Sequence, residues 1–241
     1  MEGFSENARR FISAYNQIDQ SLRNQCDLTK SISYTEAIRK ASRFNALVKR
    51  NEDKLIDYGR LRNAIVHSFN EDSVIAEPHT NVVEEYERLA KAICTPPLAI
   101  DTVLNRDIKT VAYDTPVKDV VESIYKTGVS NWPVYKDGML IGVANSRKLI
   151  KEIGKKIYEK KDLDEYLENT KIEDAISNFG DDTYYTIANK DVTLDKILNM
   201  FSENRKLALI VITETGSLLE LPIGVVAIAD IMDVNKILDN Y

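Results

Sequence analysis

Apolar residues recur every three or four positions through the first 94 residues, which is the spacing of one helix face. Ser5 is a candidate N-cap for the first run, and Ser33 with Glu36 opens the second run, "SYTEAIRKASRFNALVKR", as a capping box. A third run contains "GRLRNAIVHSFNED", and a fourth follows Pro78. The apolar stripes of the first, second and fourth runs are Ala8, Phe11, Ile12, Tyr15, Ile18 and Leu22; Ala37, Ile38, Ala41, Phe44, Leu47 and Val48; and Val82, Tyr86, Leu89 and Ile93. Four helices with short connections predict an antiparallel bundle over residues 1–95.

The pattern changes at "CTPPLAI", because Pro96 and Pro97 lack the amide donors that a helix interior needs. Five short runs rich in β-branched residues follow, and helical segments separate them. These are "IKTVAY", "NWPVYKDGMLIGVA", "DTYYTIA", "LALIVITETG" and "LPIGVVAI". The sequence therefore predicts a second, α/β domain over residues 96–241.

The second domain repeats itself. Residues 114–125 resemble residues 191–201, and residues 134–150 resemble residues 211–232, at an offset of about 77–82 residues. Each copy predicts a strand, a helix, a strand, a glycine turn, a strand and a helix. The turn glycines are Gly138 and Gly216, and the strand glycines are Gly142 and Gly224. The copies span about 97–155 and about 170–241, joined by a charged helical connector over about 153–169.

Composition narrows the classes of protein that remain. The chain of 241 residues has a net charge of −6, so it is no polycation. Cys26 and Cys94 show no CxxC or metal-ligand spacing, which predicts a reduced cytoplasmic protein without a metal site. No apolar run approaches the roughly 18–20 residues of a membrane span, and the N-terminus lacks the apolar region of a signal peptide.

The repeat resembles a tandem pair of CBS domains, on the segments "WPVYKDGMLIGVANSRKL" and "LIVITETGSLLELPIGVVAIADI". The resemblance implies two copies that face each other and bind an adenine-containing ligand between them. The ligand could be AMP, ADP, ATP, a cyclic or linear dinucleotide, or S-adenosylmethionine. The family pattern "GxxTxxD" implies that its Asp binds ribose hydroxyls and that its Thr helps hold phosphate.

This sequence departs from that pattern. The second copy keeps Asp230 but has Ala227 at the Thr position, whereas the first has Asn145 and Lys148 at the Thr and Asp positions. We therefore expect at most one good nucleotide cleft, centred on Asp230. The other could be empty, or could use Lys148 to bind phosphate. Asp230 could instead cap the last helix. Arg205 and Lys206 precede the strand "LALIVI" and could reach phosphates, or could be an ordinary solvated charge pair.

The third helical run carries candidate catalytic residues. Asn63 and His67 are four residues apart and share a helix face, and Arg62 can reach towards them. RNA cleavage by attack of a 2′-hydroxyl needs an acid or base near neutral pH, which His supplies. It also needs a cation for the charge that develops on the phosphate, which Arg supplies. Arg62 could alternatively pair with Asp57 or Glu71.

The segment "RNAIVH" resembles the R-x4–6-H motif of HEPN domains, over roughly residues 4–94. The resemblance implies a homodimer with a metal-independent ribonuclease site of Arg62, Asn63 and His67 where the two motif helices meet. Related toxins carry an adenylylated Tyr two residues after the His. Phe69 stands there in this chain and cannot accept AMP.

Together these patterns predict a HEPN-like ribonuclease under the control of a ligand-binding CBS pair, with stress response or phage defence as a setting by analogy. The first alternative is a non-catalytic nucleotide sensor whose bundle binds RNA or a protein partner. The second is a dimerisation bundle attached to a CBS pair that regulates a separate enzyme.

Overall fold

The computed structural model describes residues 4–67, 76–102, 108–180 and 183–241. The chain separates into two compact units. The first comprises Met1–Leu98, Thr193–Ser202 and Met232–Tyr241, and the second comprises Ala99–Val192 and Glu203–Ile231. The predicted boundary at residue 95 divides the chain into two consecutive domains. The first unit of the structure differs from this prediction because it also contains two later segments. None of the described helices combines the length and hydropathy of a bilayer span.

The described helices of the N-terminal half are α1 (Glu6–Cys26), α2 (Tyr34–Ala41), α3 (Ala46–Arg50), α4 (Glu52–His67), α5 (Thr80–Cys94) and α6 (Ala99–Thr102). Those that follow are α7 (Val117–Thr127), α8 (Ser146–Tyr158), α9 (Leu163–Asn169), α10 (Ile172–Ser177), α11 (Leu194–Glu203) and α12 (Ile231–Asn240). The strands are β1 (Val111–Ala112), β2 (Asn131–Lys136), β3 (Met139–Asn145), β4 (Tyr185–Asn189), β5 (Leu209–Thr213) and β6 (Gly224–Ala227).

Helices α1 to α5 share one apolar core, in which α1 packs against α2, α4 and α5. Phe11, Ile18 and Leu22 of α1 are fully buried, as the helical spacing predicts. The hydroxyl of Ser5 accepts from the Ala8 amide, which confirms the predicted N-cap. The hydroxyl of Ser33 accepts from the Glu36 amide, which confirms the Ser33 half of the predicted capping box. The all-helical character of the N-terminal region agrees with the sequence pattern.

The second predicted helix is wrong in one respect, because residues 33–50 form two helices rather than one. The helix is interrupted at Asn45, because Oδ1 of Asn45 accepts from the Val48 amide at 3.1 Å and caps α3. A side-chain amide that binds local backbone competes with the helical ladder. The buried face of α5 is also displaced, because Val83 and Ala90 are buried while Val82 and Leu89 are only partly so.

The first unit includes α12 and most of α11, which hydrogen-bond directly to α3. Oδ1 of Asn199 in α11 accepts from the Ala46 amide at 2.6 Å. Oδ1 of Asp239 in α12 lies 2.6 Å from Nη2 of Arg50. The first unit therefore combines helices from both ends of the sequence.

The second unit contains two three-stranded sheets with the same topology. In each, the first strand runs parallel to the second and the second runs antiparallel to the third. Gly138 (φ +81°) and Gly216 (φ +84°) occupy the left-handed turns between the paired strands, where side chains are disfavoured. The predicted repeat, its strand order and its turn glycines are therefore confirmed.

Candidate functional site

A cavity of about 930 Å³ lies in the second unit, within the range of roughly 300–1,000 Å³ that is common for small-molecule sites. Its wall is built from β3, from α10 and the residues that follow it, and from the start of β4. These elements come from both sides of the repeat. The cavity therefore has access to side chains of both copies.

One wall of the cavity is aromatic. Phe179, Tyr184 and Tyr185 line it, with centroid distances of 6.2 Å between Phe179 and Tyr184 and 5.5 Å between the two tyrosines. Tyr184 is held in place because its hydroxyl donates to the carbonyl of Val143. Burial raises the pKa of both tyrosines, so their hydroxyls stay protonated near neutral pH. This wall provides the kind of surface on which a heterocyclic base stacks.

Two carboxylates also line the cavity. They belong to Glu173 and Asp174, in the first turn of α10. Nζ of Lys136 donates to Oε2 of Glu173 at 2.8 Å and lies 4.5 Å from the ring centroid of Tyr113. The hydrogen bond to Glu173 raises the pKa of Lys136. A carboxylate accepts two hydrogen bonds and suits vicinal hydroxyl groups. Glu173 and Asp174 are therefore candidate acceptors for a ribose.

Gly142 of β3 lines the cavity and lies close to Ile176 of α10. A Cβ atom at this position would lie 2.7 Å from Cδ1 of Ile176, which is closer than real Cβ contacts. Gly142 also pairs with Val134 in the sheet. The absence of a side chain at Gly142 lets Ile176 approach the strand at the cavity wall.

The ligand residues predicted from the CBS resemblance are not among the residues that line this cavity. Oδ2 of the buried Asp230 accepts from the Ala227 amide at 2.8 Å, so its carboxylate caps the short 3-10 turn over Ile228–Asp230. Asn145 caps α8, because its Oδ1 accepts from the Lys148 amide at 3.0 Å. Both side chains hold local backbone. Their predicted ligand roles stay predictions.

The predicted cations fall into two groups. Arg205 and Lys206 are exposed in the turn after α11. Lys148 lines a separate cavity of about 360 Å³ and donates from Nζ to the carbonyl of Phe179 at 3.1 Å. The sequence interpretation did not identify Glu173 or Tyr185 as site residues. The tyrosine pair in "DTYYTIA" is the available signal in the sequence, and by itself it indicates only a strand.

Arg62 of α4 is half-buried, with its guanidinium carbon 5.1 Å from the ring centroid of Tyr15. Its Nη1 donates to Oδ1 of the exposed Asn63 at 3.3 Å, and among the described residues its buried Nε has no hydrogen-bond partner. Asp57 is bound by Arg60 at 2.8 Å and not by Arg62, whereas Glu71 lies outside the described residues. His67 is the last residue of α4, and its side chain, like Phe69, lies outside what the structure describes.

Residues 100–155 match the sequence model of the CBS domain. This match confirms the CBS resemblance for the first copy of the repeat, and no curated protein matches the chain in sequence. The HEPN resemblance of residues 4–94 stays a prediction.

Three solved structures illustrate what the chain is similar to. The CBS domain pair of protein MJ0100, in complex with 5′-methylthioadenosine and S-adenosyl-L-methionine, is 15% identical, with a TM-score of 0.42 over 58% of this chain and 97% of that chain. A CBS-domain containing protein from Agrobacterium tumefaciens is 18% identical, with a TM-score of 0.41 over 54% and 85%. The CBS domain of the bacterial CNNM/CorC family Mg²⁺ transporter, in complex with ATP, is 13% identical, with a TM-score of 0.42 over 57% and 86%.

Proposed function

We propose that the CBS pair binds an adenine-containing nucleoside or nucleotide in the 930 Å³ cavity and that the chain works as a ligand sensor. The observation that carries this proposal is the pairing of an aromatic wall with carboxylates on α10. The base stacks against Phe179 and Tyr185, and the ribose hydroxyls donate to Glu173 and Asp174. Each half of the cavity thus matches one half of a nucleoside.

Titration calorimetry with adenosine, AMP, ADP, ATP, a dinucleotide and S-adenosylmethionine tests the proposal. Tyr185→Ala is expected to weaken binding by roughly 5- to 100-fold, because base stacking on an aromatic side chain contributes about 1–3 kcal/mol. Glu173→Gln should weaken binding through the ribose. Glu168→Gln is the matched control, since Glu168 pairs with Lys118 in the same unit outside the cavity. Unchanged affinity in both cavity variants would contradict this placement of the ligand.

A second proposal concerns the first unit, which we infer to be a metal-independent ribonuclease that works as a homodimer. It is supported by the unsatisfied Nε of the half-buried Arg62, next to the exposed Asn63 and on the same helix as His67. A cation with unused donors suits a phosphate. His67 would serve as the general acid or base and Asn63 would orient the reacting groups.

An RNA cleavage assay in the presence of a metal chelator tests this second proposal. Arg62→Ala and His67→Ala should lose cleavage while keeping the fold. Arg60→Ala is the matched control, because Arg60 is an exposed cation of α4 two residues away and pairs with Asp57. Light scattering gives the oligomeric state. Cleavage by the Arg62 and His67 variants at the wild-type rate would refute their catalytic assignment. No cleavage by the wild type would favour a non-catalytic bundle that binds RNA or a protein partner.

Ligand control of the first unit requires that the ligand bind two states of the chain with different affinity. The chain passes between the two units four times, at residues 98/99, 192/193, 202/203 and 231/232. These crossings supply the covalent connections through which a change in one unit can reach the other. Adding the tightest ligand of the panel to the cleavage assay measures the coupling directly.

A further inference from the structure

Three lysines of α8 lie along one cavity. Lys148, Lys151 and Lys155 are separated by three and four residues, so they share one face of the helix. All three line the 360 Å³ cavity, together with Asn178 and Phe179. Like charges at these spacings destabilise a helix slightly. The three ammonium groups therefore repel one another slightly on this face.

The described lining of this cavity is strongly positive. Glu152 is its acidic member, and this carboxylate is buried, 5% exposed, with Oε1 3.2 Å from Nζ of Lys156. The lining therefore carries three lysines and one carboxylate and is net positive. Lys148 is fixed, because its Nζ binds the Phe179 carbonyl and lies 4.4 Å from the ring centroid of Tyr184. Lys151 and Lys155 are exposed.

The lysine cavity adjoins the proposed nucleoside cavity, because Phe179 lines both. Among the described residues of the larger cavity, Lys136 is the cation, and Glu173 holds its ammonium group. With Glu173 and Asp174 present, the larger cavity is net acidic and would repel phosphate. A phosphate group attached to a nucleoside there is stabilised only if it extends towards the α8 lysines.

We infer that the lysine face of α8 is a phosphate-binding site, and that the ligand of the CBS pair is a nucleotide whose phosphates extend past Phe179 onto Lys151 and Lys155. The placement of the nucleoside rests on the proposed function, whereas the placement of the phosphates rests on the lysine cavity alone. Lysine ammonium groups bind phosphate oxygens as point charges, and salt screens such exposed contacts.

The test compares adenosine, ATP and inorganic tripolyphosphate on the full chain, using titration calorimetry at two salt concentrations. The double variant Lys151→Gln/Lys155→Gln should weaken ATP binding about tenfold and leave adenosine binding unchanged. Tripolyphosphate should bind the wild type weakly and the variant less. The control is Lys118→Gln/Lys126→Gln on α7, which removes the same charge from the same unit away from the cavity.

The outcomes separate the two ideas. Equal ATP affinity in the wild type and the lysine variant would overturn the phosphate site and leave the proposed sensor intact. Lysine-dependent binding of tripolyphosphate without any binding of adenosine or ATP would support the phosphate site and refute the nucleoside site. No binding of any of the three probes would refute both.

Discussion

The hydroxyl groups of Tyr34 and Tyr86 lie 3.0 Å apart in the buried core of the first unit. Burial raises the pKa of both side chains, which keeps the hydroxyls neutral and paired. Tyr34→Phe or Tyr86→Phe alone leaves one buried hydroxyl without this partner. Each single variant is expected to lower the free energy of unfolding by about 1–3 kcal/mol.

The double variant Tyr34→Phe/Tyr86→Phe should cost less than the two single variants combined, because replacing both partners leaves no orphaned polar group. Urea denaturation of the four proteins completes a double-mutant cycle. Additive losses would mean that the two hydroxyls do not interact.

Gly142→Ala is predicted to reduce ligand affinity more than stability. The new Cβ would meet Cδ1 of Ile176 at 2.7 Å, and this flexible end of the side chain can move into the cavity. Adding Ile176→Val removes that methyl group, so the pair Gly142→Ala/Ile176→Val should recover affinity. Calorimetry with adenosine gives affinity, and urea denaturation gives stability. If Ile176→Val does not restore binding, contact between the new Cβ and Ile176 is not the cause of the lost affinity.

Glu85 makes the free energy of unfolding of the first unit depend on pH in the acid range. The hydrogen bond from Lys54 lowers the pKa of Glu85, with a further contribution from the hydroxyl of Tyr58, which donates to Oε2 at 2.8 Å. Because the folded pKa lies below the unfolded value, the contribution is complete above about pH 4.5 and disappears as pH falls through the folded value. The pair is partly exposed, so the effect should be about 0.2–1 kcal/mol.

Urea denaturation of Glu85→Gln across acid pH measures this effect. The variant should be less stable than the wild type near neutral pH, and the difference should shrink below about pH 4.5. Glu84→Gln removes the same charge from an exposed neighbour on α5 and serves as the control. A difference that stays constant down to the lowest pH would contradict the assignment.

Asp230→Ala distinguishes a capping role from a ligand role. The structure leads us to expect a loss of about 0.5–2 kcal/mol in unfolding free energy, because the Ala227 amide loses its acceptor. Adenosine affinity should hold, since Asp230 does not line the cavity. Reduced affinity with unchanged stability would instead favour the ribose role implied by the CBS resemblance.

The sequence was sufficient to predict elements whose signal is local. The cap at Ser5, the left-handed turn at Gly138 and the repeated strand order each depend on nearby residues or on a doubled pattern. The break before α3 was missed because the apolar stripe continues across it, while the side chain of Asn45 withdraws the backbone from the helix. An apolar stripe alone therefore overestimates the length of a helix.

The cavity was harder to predict because its wall is assembled from distant residues. Lys136, Glu173 and Tyr185 belong to different elements, and no spacing in the sequence links them. The motif resemblance directed attention to Asp230 and Asn145, which the structure shows holding local backbone. Lys148 was identified from the same motif, although its neighbours Lys151 and Lys155 were not.

Because α12 and most of α11 belong to the first unit, this unit cannot finish folding in the order in which the chain is made. Helices α1 to α5 emerge from the ribosome first. Asn199 becomes available to α3 only after most of the second unit has been synthesised, and Asp239 only after all of it. A nascent chain that stalls within the repeat would present an incomplete first unit. Completion of the first unit would then depend on prior synthesis of the second unit.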